Sequence, residues 1–202
     1  MDIEIKISRK PVNYNKALTY LEKRLEKVKK GGKELVWFLE HPTTYTAGIR
    51  FKKSEILDSS INIIETNRGG KITLHNKGQK IIYFVLNLNK RKKDIRNLIN
   101  QIEGTIINFL KIYGIRAHAD RKNIGIWVQD KKIAAIGIRV TRWIAYHGFS
   151  INVDNNLLDY KKIIPCGLDN KKITSIKKEI KKKPINVEKN LKRIFLKNIK
   201  NI

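Results

Sequence analysis

Residues 124–140 read Ile124-Gly125-Ile126-Trp127-Val128-Gln129-Asp130-Lys131-Lys132-Ile133-Ala134-Ala135-Ile136-Gly137-Ile138-Arg139-Val140, two apolar runs around a polar tetrapeptide. Runs of this kind, rich in β-branched residues, predict a hairpin with strands at 124–128 and 133–140 and its turn at 129–132. Gly148 to Val153 adds a further strand after it. A hairpin is an antiparallel device, so a sheet containing this one is not built solely of βαβ crossovers.

Working outward, Ile95, Leu98, Ile99, Ile102, Ile106, Phe109, Leu110 and Tyr113 recur at helical spacing and stop at Gly114, which predicts a long helix just before the hairpin. Tyr14, Leu18, Leu21, Leu25 and Val28 predict another over 14–28, with Asn13 as its cap and Gly31 beyond its end. Leu35 to Leu39, Ile61 to Glu65 and Ile81 to Leu88 read as strands, with a glycine-rich loop between the last two. Beyond Pro165-Cys166-Gly167 the chain turns helical. Val187, Leu191, Ile194, Phe195 and Ile199 line one face there, and most lysines lie on the other. The expected class is α/β of the α+β type, a mixed β-sheet flanked by helices. No repeat and no Pro/Ser/Gly-rich linker divides the chain, so residues 1–202 are expected to form a single domain with a basic helical segment from about 171.

The chain carries 44 Lys+Arg against 18 Asp+Glu, a net charge of +26, and 41% hydrophobic residues, enough for a sizeable core. The lysines are dispersed and not interleaved with aromatics, and Lys, Ile and Asn are abundant together, as A- and T-rich codons produce. The charge is therefore read as solvated surface and not as a nucleic-acid footprint, with an acidic protein partner left open. The alternating start Met1-Asp2-Ile3-Glu4-Ile5-Lys6 is unlike a secretory signal, and no apolar run approaches the length of a membrane span. A single cysteine excludes an internal disulfide and suits a reducing cytoplasm.

Three places carry residue types suited to chemistry. Arg68-Gly69-Gly70-Lys71-Ile72-Thr73-Leu74-His75 lies in the glycine-rich loop, where backbone amides can approach a ligand and Arg68, Thr73 and His75 can donate hydrogen bonds. It lacks the phosphate-loop and dinucleotide patterns. Cys166 stands between Pro165 and Gly167, open on one side; as a nucleophile it needs a neighbouring cation or base, for which Lys132 and His147 are the candidates. A lone cysteine is otherwise a small buried apolar residue, and a lysine ordinarily a solvated charge. His41, His75, His118 and His147 lack metal-ligand spacing, so no metal is expected.

Taken together, Glu40-His41-Pro42 with Tyr45-Thr46-Ala47-Gly48, Arg68-Gly69-Gly70 to Gln79, Lys132-Ile133-Ala134-Ala135-Ile136-Gly137, His147-Gly148-Phe149-Ser150-Ile151-Asn152-Val153 and Pro165-Cys166-Gly167 resemble the lipoyl(octanoyl) transferase family in order and spacing, over roughly residues 36–168. The resemblance implies a biotin/lipoate protein ligase-like fold. It implies an acyltransferase that moves octanoyl from acyl carrier protein, through a thioester, to a lysine of the lipoyl domains of 2-oxoacid dehydrogenase and glycine cleavage proteins. It further implies Cys166 as nucleophile, Lys132 as the lysine that lowers the thiol's pKa and shuttles protons, and Arg68 to His75, Ala135, Ile136 and Gly137, and Gly148, Phe149 and Ser150 around the acyl group. No cofactor, nucleic acid or membrane is expected, and the chain is expected to act as a monomer. Two alternatives stand beside it, an ATP-dependent lipoate or biotin ligase of the same fold and an inactive module that binds acyl carrier or lipoyl domains. One departure is visible: the family writes His-Gly-Pro-Gly-Gln where this chain has His75-Asn76-Lys77-Gly78-Gln79. Asn tolerates positive φ, so the turn is expected to survive, and restoring Gly-Pro is expected to stabilise slightly.

Overall fold

The computed structural model describes residues 2–120, 123–165 and 172–202. In chain order its elements are β1 (Ile3–Ile7), α1 (Tyr14–Lys29), β2 (Glu34–Leu39), β3 (Thr44–Ala47), β4 (Ile63–Glu65), β5 (Ile72–His75), β6 (Gln79–Asn87), α2 (Ile95–Lys111), β7 (His118–Ala119), β8 (Ile126–Val128), β9 (Lys131–Thr141), β10 (Ile144–Asn152), α3 (Ile176–Ile180) and α4 (Val187–Asn198). Among the described residues the larger sheet runs β1-β2-β6-β10-β9-β8-β7 and the smaller one β4-β3-β5. β1 pairs parallel with β2 and β3 parallel with β4, while the remaining strand pairs are antiparallel. The sheet is mixed, as expected.

β6 shows why the larger sheet sits at the centre. Ile81, Tyr83 and Val85 face one side, where Ala17, Leu21, Leu25 and Val28 of α1 cover them. Ile82, Phe84 and Leu86 face the other, against α2 and α4. A strand buried on both faces needs an unbroken apolar run, which residues 81–86 supply. α1 starts where expected, the Asn13 side chain accepting from the Lys16 N–H at 3.1 Å. Its buried stripe uses Ala17, and Leu18 is half-exposed. α4 closes the second face through Leu191 and Phe195, with Ile199 just past its end; the Phe195 ring lies 5.5 Å from that of Phe149 and 6.2 Å from that of Phe84.

The smaller sheet corrects the sequence reading. Ile72–His75, taken as part of one continuous loop, is β5, and it pairs antiparallel with β3, which was not anticipated. Ile72 and Leu74 are fully buried with Tyr45, Tyr160 and Ile163 in a separate apolar cluster. Thr73 and His75, by strand alternation, point the other way, toward the larger sheet. The loop at Asn76 also differs from expectation. The left-handed residue is Gly78, with φ of 88°, while Asn76 is buried and makes three hydrogen bonds. Its Nδ2 donates to Asn156 O and Asp159 Oδ2 at 2.8 and 2.9 Å, and its Oδ1 accepts from Asn155 Nδ2 at 2.9 Å. Asn76 is a tie between two loops, so Gly-Pro in its place would remove bonds, and the expected small stabilisation is withdrawn. No helix among the described residues is long and apolar enough to cross a membrane.

Candidate active site

The hairpin turn is tighter than the sequence suggests. Only Gln129 and Asp130 lie between β8 and β9, with Gln129 at a left-handed φ of 54°, so Lys132 belongs to β9 and pairs with Trp127. Its backbone is held on the opposite edge as well, donating to Lys172 O and accepting from the Thr174 N–H, each at 2.9 Å. The residue is only 4% exposed. An ammonium drawn out of water needs acceptors or polarisable neighbours. Here Nζ donates to Ile124 O at 2.8 Å and lies 5.5 Å from the Trp127 ring centroid. Gly125 makes room for this arrangement, since a Cβ there would collide with Lys132 Cε and come within 2.9 Å of Nζ.

Beyond Lys132 the floor of a cavity is bare backbone. Ala135 pairs with Ser150 and Gly137 with Gly148, and Gly148 faces Tyr83 on β6. A Cβ at Gly148 would overlap Ile82 O, so no side chain fits there. The wall across from this floor is the segment entering β5, where Gly69 packs so closely on β9 that a Cβ would stand 2.9 Å from Ile138 O. Arg68 fixes that segment. Its Nη2 donates to Thr46 O and Oγ1 at 2.7 and 2.9 Å, and its Nη1 to Gly69 O at 3.0 Å. The enclosed space is about 470 Å³, within the usual range for a small-molecule pocket. Tyr14, Ile81, Tyr83, Thr73 and His75 also line it.

Three histidines sit in or behind the cavity's lining, and burial keeps each neutral. His41 Nδ1 donates to Val12 O at 2.6 Å and its Nε2 accepts from the Tyr83 hydroxyl at 3.0 Å. Desolvation lowers its pKa to about 4. His75 donates from Nδ1 to Gln79 Oε1 at 2.7 Å, and burial, aided by His41 and Arg68, lowers it to about 3. His147 has a φ of 68° in the middle of β10. Strict alternation would send its side chain to the face of Ala145 and Phe149. The left-handed backbone turns it instead against the Tyr146 ring, 4.8 Å away, with Nε2 at 2.8 Å from Asn67 Oδ1. Burial first, then the charges of Arg68 and Arg139, lower its pKa to about 3. A base that weak holds no proton near neutrality, so His147 is a poor choice for activating a thiol.

The structure brings Arg68, Gly69, Gly70, Lys71, Thr73, His75, Lys132, Ala135, Ile136, Gly137, Gly148, Phe149 and Ser150 to one cavity. It does not bring Ile72 and Leu74 there, which are core of the smaller sheet. Lys71 also pairs with Glu55 at 2.9 Å. Cys166 lies outside the described residues. The chain on either side of its segment converges on Lys132: Pro165 and Ile173 share a small cavity with it. The sequence reading missed Gly125, Tyr14, Tyr83 and Asn67. Of these only Gly125 carried a signal, a glycine inside a strand pattern. Among the described residues no group of three or more His, Cys, Asp or Glu could hold a metal ion.

The lipoyl protein ligase A/B catalytic domain profile matches residues 13–199. An octanoyltransferase of Wolbachia sp. subsp. Brugia malayi is 42% identical over 202 residues, covering 96% of this chain and 98% of that protein. An octanoyltransferase of Ehrlichia chaffeensis is 42% identical over 183 residues, covering 87% of this chain and 86% of its own length. Among solved structures, the putative lipoate protein ligase Ta0514 of T. acidophilum with bound lipoic acid superposes with a TM-score of 0.80 over 99% of this chain and 87% of its own. At 17% identity that likeness shows the fold alone.

Proposed function

The chain belongs to the lipoyl protein ligase A/B catalytic-domain family, and from that premise we propose that it is an octanoyltransferase acting through a Cys166 thioester. The acyltransferase reading follows its relatives, which are octanoyltransferases at 42% identity over nearly their whole length. The observation that carries the chemistry is the buried Lys132 ammonium at one end of the 470 Å³ cavity, with the chain on both sides of the Cys166 segment packed beside it. A desolvated cation beside a thiol favours the thiolate, the form that attacks a carbonyl.

In the first step the Cys166 sulfur attacks the thioester carbonyl of an octanoylated acyl carrier protein. The new C–S bond forms, the old one breaks, and the carrier thiol leaves with a proton that Lys132 can pass. In the second step a lysine amine of a lipoyl domain attacks the Cys166 thioester. The amide forms, the C–S bond breaks, and the amine's proton returns through Lys132 to the sulfur. Neither step needs ATP, because thioester exchange is nearly balanced and amide formation is downhill. The carrier reading is supported by the net charge of +26, which suits an acidic partner.

The experiment is intact-protein mass after mixing with octanoyl carrier. A single octanoyl adduct is expected on the wild type and none on Cys166→Ala. Transfer to a lipoyl domain by Cys166→Ala at the wild-type rate would end the thioester mechanism, and a requirement for ATP would favour the ligase alternative.

A further inference from the structure

We propose that Asn152 is a positioning residue for Lys132: its carboxamide holds residues 172–174 against β9 and so fixes the backbone that carries the Lys132 side chain. The inference rests on the acyl-transfer reading, in which Lys132 favours the Cys166 thiolate. Asn152 is the last residue of β10 and is 5% exposed. β10 pairs with β9 as far as Ile151, opposite Ala134. Beyond that point the edge of β9 is taken by a single parallel bridge between Lys132 and Ile173. Asn152 therefore stands where one partner of β9 gives way to another.

That bridge consists of two backbone bonds, Lys132 N–H to Lys172 O and Thr174 N–H to Lys132 O, each 2.9 Å. A bridge of one residue pair has no ladder on either side to keep it in register. Asn152 supplies a third bond, its Nδ2 donating to Thr174 O at 3.0 Å. Thr174 has no exposed surface, so bulk water does not compete for that carbonyl.

The other end of the carboxamide sets its orientation. Oδ1 accepts from Gln79 Nε2 at 2.9 Å, from Asn155 Nδ2 at 3.2 Å and from the Tyr160 hydroxyl at 3.3 Å. With these donors around Oδ1, Nδ2 is the atom that faces Thr174. Gln79 is oriented in turn by His75, whose Nδ1–H donates to its Oε1 at 2.7 Å. A chain of hydrogen bonds thus runs from β5 through Gln79, Asn152 and Thr174 to the Lys132 backbone. Asn152 lines the small cavity shared by Lys132 and Pro165 and does not line the 470 Å³ one. It is placed to act on Lys132 without touching the acyl chain.

The test uses the full chain as wild type, Asn152→Ala, Lys132→Ala and their double variant. Asn152→Ser, which keeps a polar atom for Gln79, is read alongside Asn152→Ala. Asn155→Ala is the structural control, since it removes a donor from the same cluster and leaves Nδ2 on Thr174. Cys166 is the only cysteine, so the pH profile of iodoacetamide alkylation reports one thiol. Lys132→Ala is expected to raise its midpoint by about one unit, which means about tenfold less thiolate below it. Both Asn152 variants should raise the midpoint as well, and the double variant should match Lys132→Ala, because Asn152 acts only through Lys132. Asn155→Ala should keep the wild-type midpoint. With octanoyl-pantetheine and a lipoyl-domain acceptor, kcat should fall about tenfold in the Asn152 variants while KM for the donor stays within about twofold. A wild-type midpoint in the Asn152 variants, with that of Lys132→Ala raised, would overturn the inference and leave the Lys132 reading standing. So would an Asn155→Ala profile matching that of Asn152→Ala, or failure of both Asn152 variants to fold, since the role would then be that of the whole polar cluster. A Lys132→Ala profile superimposable on the wild type's would defeat the reading of Lys132 first, and the inference with it.

Discussion

At Gly125, just before β8, the missing side chain makes room for the tail of Lys132 on β9, and the two residues act as one unit. Gly125→Ala is expected to push Cε and Nζ away from the Ile124 carbonyl and the Trp127 face. Displacing a reacting group by about an ångström costs on the order of 100-fold in rate. Single-turnover transfer from acyl-enzyme to acceptor should fall by about that factor, while the circular dichroism spectrum stays that of the wild type. An unchanged rate would mean that Lys132 does not need its present position. Lys132 and Arg68 were legible in the sequence because each stands inside a motif with a recognisable order. Gly125 was not, since a glycine in a strand pattern reads the same whether it accommodates a bulge or a neighbour's side chain. The turned imidazole of His147 was equally hidden, because alternation assigns it to the opposite face and only the φ of 68° reverses that.

At the scale of elements, the tie made by Asn76 joins the β5–β6 connection to residues 155–159, beneath the chain leading to Pro165. Replacing Asn76 and Lys77 by Gly and Pro should cost about 2 kcal/mol, the sum of three modest hydrogen bonds less a small gain in loop stiffness. Urea unfolding of the double variant checks this, and a midpoint at or above the wild type's would refute it. The long periodic elements, α1, α2 and β6, were readable because many residues repeat one signal. β5 was not, for it has only four residues, Ile72–His75, between glycine-rich stretches. Its alternation of buried Ile72 and Leu74 with Thr73 and His75 is too short to outweigh the turn residues around it. The hairpin from β9 to β10 was hidden for another reason. Its turn is Arg142-Trp143, with φ of 48° and 60°, in place of the usual Asn-Gly. Tertiary bonds hold it, Asn89 Nδ2 donating to Arg142 O at 3.0 Å and the Leu88 N–H to Trp143 O at 2.7 Å.

Across the whole molecule, His41, His75 and His147 are buried without charge, with pKa values of about 4, 3 and 3 against 6.5 for the free side chain. Their folded values are depressed, so the unfolded chain takes up protons first as pH falls. The stability they contribute is complete above pH 6.5 and drains away between there and about 4 for His41 and about 3 for His75 and His147. Three protons bound on unfolding give a slope of about 4 kcal/mol per pH unit near pH 5. Glu4, lowered from its usual value by its bond to Arg24, and Glu179, where burial raises the pKa but the bonds to Lys131 and Thr174 together lower it further, extend the loss to lower pH. Thermal midpoints measured from pH 7.5 to 5 should therefore drop steeply below about 6.5, and a flat profile would contradict the buried neutral histidines. The order of the chain has a consequence of its own. α4 emerges from the ribosome after every strand, yet its Leu191 and Phe195 are required to cover Phe84 and Phe149. During synthesis the central sheet must wait with the part of its apolar face beside α2 that α4 covers still open, through contacts of very long sequence separation that slow folding and invite aggregation. A nascent chain stalled before residue 187 is thus a natural client for a chaperone, and release of the last helix is the event that retires it.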